Sequence, residues 1–215
     1  MEIDVLVRRY PRLYHMAERE TWPSIKKHGL LSTSAVLDFH GITGSEREGF
    51  ERKHRHEKVA VGANVPIVLR DQKPMAPDRL AQALQDGITP TEWYELLNAK
   101  VFMWAREERL LNLLNARHYR ALEHDVLTVD TASLIAAHHK AIWLCPMNSG
   151  NTFPIPHRRG RGTFLRIADY PAKRSGQPEK EVAEVVVDYS VPDIDQHVVE
   201  VRRMLGDRVI EHLKV

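Results

Sequence analysis

The chain has 215 residues, of which 43% are hydrophobic, and it carries no linker or repeat, so we predict a single domain over residues 1–215. Its 31 Lys and Arg residues nearly balance its 29 Asp and Glu residues, so any affinity for nucleic acid must come from local basic patches. One cysteine, Cys145, excludes an internal disulfide framework, and the lack of a signal peptide or membrane-spanning apolar run predicts a cytoplasmic protein without membrane contact.

The first part of the chain predicts a strand, a short helix and a turn. Residues 13–16 are typical of a strand, and Thr21, Trp22 and Pro23 are typical of a helix start with Thr21 as N-cap. Gly29 should end this helix in the left-handed conformation. His15, on the strand, either contacts a ribose hydroxyl or stays neutral in a core, and the residues alone favour the core.

Residues 40–62 are polar and predict a loop with a short exposed helix. They hold the densest cationic cluster of the first half of the chain, and the residues alone are typical of a solvated surface: Arg52, His54, Arg55, His56 and Lys58. His54 and His56 lack cysteine or carboxylate partners at the spacing of a zinc site, so we predict no metal.

Strands and helices then alternate. Strands are predicted over residues 64–69, 101–104, 125–130 and 142–145, and helices over residues 78–84, 89–97, 110–114 and 134–141. Thr89, Pro90 and Glu92 form the pattern of a capping box, while Asp78 and either Thr131 or Ser133 are the expected caps of two other helices. Phe102 and Trp104 share one face of their strand, a pattern more often found in a core than beside a cofactor.

Two later segments carry charged residues in local settings where functional residues are common. Residues 146–167 are rich in Pro, Gly and Asn, and their basic residues suit phosphate or nucleic-acid contact as well as they suit a solvated loop: His157, Arg158, Arg159 and Arg161. Glu184 stands at the head of a strand rich in valine. A carboxylate in that setting is either an edge residue that faces water or a functional group.

Several of these segments resemble ADP-ribosyltransferases. LYHMAERETWPSIKKHGLLS resembles the opening strand, helix and turn of that fold, in which a Tyr-His pair begins the NAD site. NVPIVLRDQKPM, KVFMWAREERL and EVAEVVVDYSVPDI resemble, in the same order, three segments of the DarT-type DNA ADP-ribosyltransferases, although Ile67, Val68 and Leu69 replace aromatic residues. The resemblance implies an α+β fold in which two small, mostly antiparallel sheets flank an NAD cleft, with peripheral helices.

The resemblance also implies an activity and a set of site residues. The expected enzyme is a glycosyltransferase that uses NAD as its substrate, transfers ADP-ribose to a nucleic-acid base, DNA above others, and releases nicotinamide. Its catalytic residues are Glu184 and an assisting arginine, for which Arg55 is the first match and Arg52 the second. The residues expected to bind NAD are Tyr14, His15, Ser24, Phe102 and Trp104. Those expected to bind nucleic acid are Arg52, His157, Arg158, Arg159 and Arg161.

Other functions stay open at this point. An RNA 2'-phosphotransferase-like enzyme or a transferase that modifies protein or a small molecule would use NAD in a similar fold. A catalytically inactive nucleic-acid-binding domain, or an unrelated partner-binding domain, would explain the basic loop without any chemistry. If the protein is a toxin of the DarT type, an antitoxin or an ADP-ribosyl hydrolase is an expected partner. His15 and Glu184 more than roughly 15 Å apart would contradict the transferase prediction.

Overall fold

The computed structural model describes residues 1–215 and contains eight α-helices and eleven strands. The helices are α1 (Ile3–Arg9), α2 (Trp22–His28), α3 (Thr33–Phe39), α4 (Gly44–Glu51), α5 (Pro77–Ala83), α6 (Pro90–Asn98), α7 (Glu107–Leu114) and α8 (Thr131–His138). The strands are β1 (Arg12–Glu18), β2 (Leu30–Leu31), β3 (Val59–Val61), β4 (Ile67–Leu69), β5 (Lys100–Trp104), β6 (Glu123–Asp130), β7 (Ile142–Cys145), β8 (Glu184–Asp188), β9 (Ser190–Val191), β10 (Val198–Leu205) and β11 (Arg208–Leu213). No helix has both the length and the apolar character needed to cross a membrane.

The protein is α+β, as the sequence predicts, but its sheets differ from the expected pair. Seven strands form one antiparallel sheet in the order β11-β10-β6-β1-β5-β8-β7. Two further sheets have two strands each, β2 with β9 and β3 with β4. The prediction of two small flanking sheets is therefore wrong in detail, because β10 and β11 extend one half of the main sheet and β1 joins that half to β5.

The junction between β1 and β5 is the weakest in the main sheet. β1 pairs with β6 along seven residues, from Arg12 to Glu18, and β5 pairs with β8 along five, from Lys100 to Trp104. β1 and β5 share one register pair, Tyr14 with Trp104. The sheet consequently consists of two halves that touch at one point, and a cleft opens where the two strands separate.

Both faces of the sheet are covered, which explains the unbroken valine run of β8. Val185 and Val187 join the largest apolar cluster, which includes side chains of α1 and α8. Val186 points the other way, into a cluster formed largely by α5 and α6. A strand that is buried on both faces reads as a continuous apolar run instead of an alternating one.

Several local signals give the structure that the sequence predicts. Thr89 accepts a hydrogen bond from the Glu92 amide, and the Glu92 carboxylate accepts one from the Thr89 amide, so the capping box of α6 is complete. Gly29 follows α2 with φ of 84°, in the region that favours glycine. Each of these signals depends only on residues that are close together in the chain, so it can be recognised from the sequence alone.

Other caps differ from the prediction. Thr21 precedes α2, but its hydroxyl donates to the Glu18 carbonyl oxygen at 2.6 Å instead of capping the helix. α5 begins one residue before Asp78, which therefore lies in its first turn. Asp130 caps α8 by accepting from the Ser133 amide at 2.9 Å. Of these three helices, only α8 therefore has a side-chain cap.

Candidate active site

A cleft of about 380 Å³ opens beside the junction of β1 and β5, within the size range of small-molecule sites. Residues from both halves of the main sheet, from α2 and from the connections around β3, β4 and β7 line it. Six residues that the sequence predicts as site residues line this one cleft: His15, Ser24, Arg55, Phe102, Trp104 and Glu184. They come from positions far apart in the chain, so the fold alone brings them together.

The strand register sets the spacing across the cleft. Tyr14 pairs with Trp104, and Trp104 pairs with Glu184 on the next strand, so Tyr14 and Glu184 are two strand spacings apart, about 10 Å. The α-carbons of Glu184 and of His15, which is next to Tyr14, are therefore less than roughly 15 Å apart, and both residues line the cleft. Tyr14 itself is outside the cleft lining, because its side chain packs with the apolar cluster beneath α7.

Glu184 is almost completely buried, with 4% of its surface exposed. The Ser149 amide donates to both of its carboxylate oxygens, at 3.2 Å each. Burial raises the pKa of Glu184 from its ordinary value to about 7, and the Ser149 hydrogen bonds offset only part of this rise. The carboxyl can therefore hold or release a proton near neutral pH, as a general acid or base must.

Arg159 holds the loop that carries Ser149. Its guanidinium donates to the carbonyl oxygens of Ser149 and Asn151, each at 2.7 Å, and to that of His157 at 3.0 Å. The residue is 1% exposed. The structure thus corrects the prediction that Arg159 is a surface cation that binds nucleic acid. The loop folds around the Arg159 side chain, and carbonyl oxygens of the loop accept the hydrogen bonds of the guanidinium.

Arg55 is a buried cation whose partners are all uncharged. It donates to the carbonyl oxygens of Arg70 at 2.7 Å and Phe50 at 2.8 Å, and more weakly to Thr33 Oγ1 and Asn98 Oδ1 at 3.4 and 3.3 Å. Burial lowers the pKa of Arg55 to about 10, so it remains charged at neutral pH. A buried guanidinium without a carboxylate partner favours an anion in the cleft that it lines.

The other arginines that the sequence predicts as site residues are outside the cleft. Arg52 is exposed and forms a salt bridge with Glu95 at 3.0 Å, so Arg55 is the arginine of this pair that lines the same cleft as Glu184. Arg161 is exposed and forms a salt bridge with Glu92 at 2.8 Å. His157 and Arg158 are exposed on the same loop. These two side chains and Arg161 are accessible to a large ligand.

His15 bridges the gap between the two halves of the sheet. Its Nδ1 lies 2.8 Å from the Phe102 carbonyl oxygen, and because that oxygen can only accept, Nδ1 carries the proton. Burial lowers the pKa of His15 to about 4, so the ring is neutral and Nε2 presents a lone pair. His15 can therefore accept a hydrogen bond from a hydroxyl group, whereas the sequence analysis expected it to donate one.

Two polar residues of the site were not predicted. Asn98, at the end of α6, accepts from Arg55 and donates to the Phe50 and Glu51 carbonyl oxygens, at 3.3 and 2.9 Å. Ser149 contacts Glu184 through its backbone amide. A buried asparagine at a helix end gives a weak sequence signal, and a backbone contact gives none, because it does not depend on the side chain.

The fold and the cleft define the protein as an α+β domain with one site of about 380 Å³ lined by a buried carboxyl, a buried guanidinium and a neutral imidazole. A model of the family of unknown function DUF7002 matches residues 11–198. Since this match covers most of the chain and all six predicted residues of the cleft, the protein belongs to DUF7002. No curated protein matches the sequence.

Replacing Glu184 with glutamine should change how stability depends on pH. The pKa of Glu184 is about 7 in the folded protein and 4.5 ordinarily, so as pH rises the unfolded chain loses this proton first. Between pH 4 and pH 8 the free energy of unfolding of the wild type should therefore fall relative to that of Glu184→Gln, by up to about 3 kcal/mol. Urea denaturation at the two pH values measures this difference.

Glu181→Gln is the matched control, because Glu181 lies at the surface and forms salt bridges with Arg9 and Arg106. This variant should gain no stability relative to the wild type at pH 8. An equal pH dependence in the wild type and Glu184→Gln would contradict a raised pKa at Glu184.

Proposed function

We propose that the protein is an NAD-dependent ADP-ribosyltransferase that transfers ADP-ribose to a nucleic-acid base, with DNA as the favoured acceptor, and releases nicotinamide. The observation that supports this best is the arrangement of Glu184, Arg55 and His15 around one cleft of suitable volume. A reaction that separates a cationic sugar from its leaving group and binds a diphosphate needs a negative, a positive and a hydroxyl-binding group at separate places in one pocket.

Glu184 has the central role in the proposed reaction. The glycosidic bond between the ribose and nicotinamide breaks, its electron pair leaves with nicotinamide, and positive charge develops on the ribose. The ionised carboxylate stabilises that charge through an electrostatic interaction within a site that excludes most water. Its contact with the Ser149 amide holds both oxygens in place before the reaction.

The same carboxyl completes the transfer. An acceptor nitrogen or oxygen forms a bond with the ribose carbon, and the proton displaced from the acceptor passes to Glu184. A pKa of about 7 suits this step, because a base with that pKa is substantially ionised at neutral pH and still accepts a proton readily. Atoms and charges balance, since nicotinamide leaves neutral and the carboxyl becomes protonated.

Other residues of the cleft bind and orient the substrate. Arg55 offers a positive charge to a phosphate group, and His15 accepts a hydrogen bond from a ribose hydroxyl at Nε2. Phe102 and Trp104 supply apolar walls for the nicotinamide ring, and the Ser24 hydroxyl is a further polar contact. These assignments follow from the type of each group and its place in the cleft.

The proposal that the acceptor is a nucleic acid is based on three exposed basic side chains of one loop, His157, Arg158 and Arg161.

Incubation of the protein with labelled NAD and, in turn, DNA, RNA and protein extract tests the activity and its acceptor together. Label on RNA or protein would favour the alternative acceptors, and loss of an RNA 2'-phosphate would favour the phosphotransferase. Intact NAD in every mixture would favour a binding domain without catalysis. Where transfer to DNA is seen, an antitoxin or ADP-ribosyl hydrolase that reverses it is the expected partner.

Glu184→Gln should keep the fold and much of the NAD affinity but abolish transfer. The substitution is nearly isosteric and keeps an acceptor for the Ser149 amide, but it removes the negative charge and the base. The loss of one such electrostatic contact lowers the rate about 100-fold to 1000-fold. Nicotinamide release measures turnover, and Glu181→Gln is the control. Wild-type turnover in Glu184→Gln would overturn the proposed function.

Arg55→Lys should lower activity far more than Arg52→Lys. Lysine keeps the charge but cannot form the planar set of contacts that Arg55 makes, so kcat/KM for NAD should fall at least about tenfold. Arg52 is exposed in a surface salt bridge, so its replacement should change kcat/KM less than roughly twofold. Circular dichroism of both variants separates lost function from lost folding. Equal losses would indicate a diffuse electrostatic effect instead of a defined site.

The double variant Arg158→Gln, Arg161→Gln should weaken nucleic-acid binding and leave NAD binding unchanged. If both side chains contact phosphates of a duplex, the slope of log K against log salt should become shallower by about 0.9 for each contact. Fluorescence anisotropy with labelled DNA at several salt concentrations measures this slope. Arg174→Gln, another exposed position, is the control. An unaltered slope in the double variant would argue against nucleic-acid contact by this loop.

A further inference from the structure

A second cluster of reactive side chains lies outside the cleft. His138, Asp193 and His197 each direct a nitrogen or oxygen atom to a common point, with these atoms within 4.8 Å of one another. None of the three lines the cleft. His138 Nε2 lies 2.6 Å from Asp193 Oδ1, although the two residues are 55 positions apart in the chain.

Two separate segments provide these residues. His138 is the last residue of α8. Asp193 follows β9, and His197 precedes β10, with one 3₁₀ turn between them. Any ligand that joins the three side chains would therefore fix the end of α8 to the connection between β9 and β10.

The hydrogen bonds of His197 determine which of its nitrogens carries the proton. Its Nδ1 lies 3.1 Å from Ser133 Oγ, and the Ser133 hydroxyl donates its proton to the Asp130 carbonyl oxygen at 3.2 Å. With the serine proton directed at Asp130 in this way, Nδ1 of His197 is the donor to Ser133 Oγ. In the neutral ring, Nε2 then carries a lone pair.

That lone pair faces a carboxylate. His197 Nε2 is buried, makes no hydrogen bond, and lies 3.4 Å from Asp193 Oδ2. Two electron-rich atoms at this distance repel each other unless a positive charge stands between them. A second proton on His197 or a metal ion would supply that charge.

One distance in the cluster matches a metal site, while the 2.6 Å contact of His138 Nε2 with Asp193 Oδ1 is a hydrogen bond that an ion would replace. Zinc bonds to histidine nitrogen and carboxylate oxygen at about 2.0–2.1 Å, so two ligands of a tetrahedral site are separated by about 3.3 Å. The 3.4 Å between His197 Nε2 and Asp193 Oδ2 agrees with this edge. The Ser133 hydroxyl contacts the other ring nitrogen of His197, as the outer partner of a metal-bound histidine commonly does.

We propose that His138, Asp193 and His197 bind one divalent transition-metal ion, with zinc as the reference ion. Two imidazole nitrogens and one carboxylate favour zinc and its first-row neighbours over magnesium or calcium, which prefer oxygen ligands. The ligands are His138 Nε2, His197 Nε2 and a carboxylate oxygen of Asp193, and a water molecule completes the set. Binding releases the proton that His138 shares with Asp193, and its effect is to fasten α8 to the β9–β10 connection. The proposal is independent of the transferase activity.

The test uses the full chain after treatment with a chelator, followed by titration with zinc chloride in a calorimeter and with cobalt chloride in a spectrophotometer. The wild type should bind one ion per chain, show visible absorption of tetrahedral cobalt, and melt at a higher temperature as zinc is added. His138→Gln and Asp193→Asn should each weaken zinc affinity more than about tenfold. Ser133→Ala, which keeps all three ligands, should weaken it about 10-fold to 100-fold.

His56→Gln is the matched control. His54 and His56 lie 3.2 Å apart at the surface without a carboxylate, and they represent adventitious zinc binding by a histidine pair. Zinc affinity that falls in His56→Gln but not in His138→Gln would overturn the proposal. So would a wild type that binds no ion. Circular dichroism checks folding, and if Asp193→Asn does not fold, His138→Gln and Ser133→Ala decide the result.

Discussion

The hydrogen bond between His15 Nδ1 and the Phe102 carbonyl oxygen spans the point where the main sheet divides. Beyond the single pair of Tyr14 and Trp104, β5 has no strand partner on the β1 side, so the Phe102 carbonyl needs another donor. The imidazole provides it within the gap, fixes its own tautomer by doing so, and keeps the two halves at a defined separation. Cleft width and ring orientation thus depend on one contact, while burial keeps the ring neutral by lowering its pKa.

Two charged groups in the cleft are buried without a partner of opposite charge. Glu184 accepts hydrogen bonds from a backbone amide, and Arg55 donates hydrogen bonds to backbone carbonyl oxygens and to a side-chain amide oxygen. Neither residue forms a salt bridge. Such an arrangement destabilises a fold, because burial of an ionised group is costly when no counterion offsets it. Local energetic conflicts of this kind concentrate at functional sites, where a ligand supplies the missing charges. Arg159 stabilises the arrangement indirectly, since it orders the loop whose amide contacts Glu184.

The sequence predicts the elements well wherever the signal is local. The capping box of Thr89 and Glu92, the glycine stop at Gly29 and the valine run of β8 all depend on neighbouring residues. The joining of both halves into one sheet was not predictable in this way, because the single contact of Tyr14 with Trp104 links strands some 90 residues apart. Burial was also misjudged for Arg159, since a glycine-rich loop of basic residues looks the same in sequence whether it faces water or wraps around one of its own side chains.

The same difference between local signals and contacts of distant residues applies to the candidate site. The resemblance of several segments to ADP-ribosyltransferases predicted six side chains that line the cleft, and the roles assigned to them remain predictions. The backbone amide of Ser149 and the cluster of His138 with Asp193 and His197 had no usable signal. A backbone contact is independent of residue type, and a cluster whose first member is 55 residues from the second has no spacing to recognise.

Gly29 has a consequence for the range of sequences that this fold accepts. A Cβ atom at position 29 would lie 2.7 Å from Pro192 Cα and 2.9 Å from the Val191 carbonyl oxygen, both of them backbone atoms that cannot move independently. Every residue other than glycine would also be strained at φ of 84°. Position 29 therefore admits one amino acid for two separate reasons, and variation among homologous chains must occur around it and not at it.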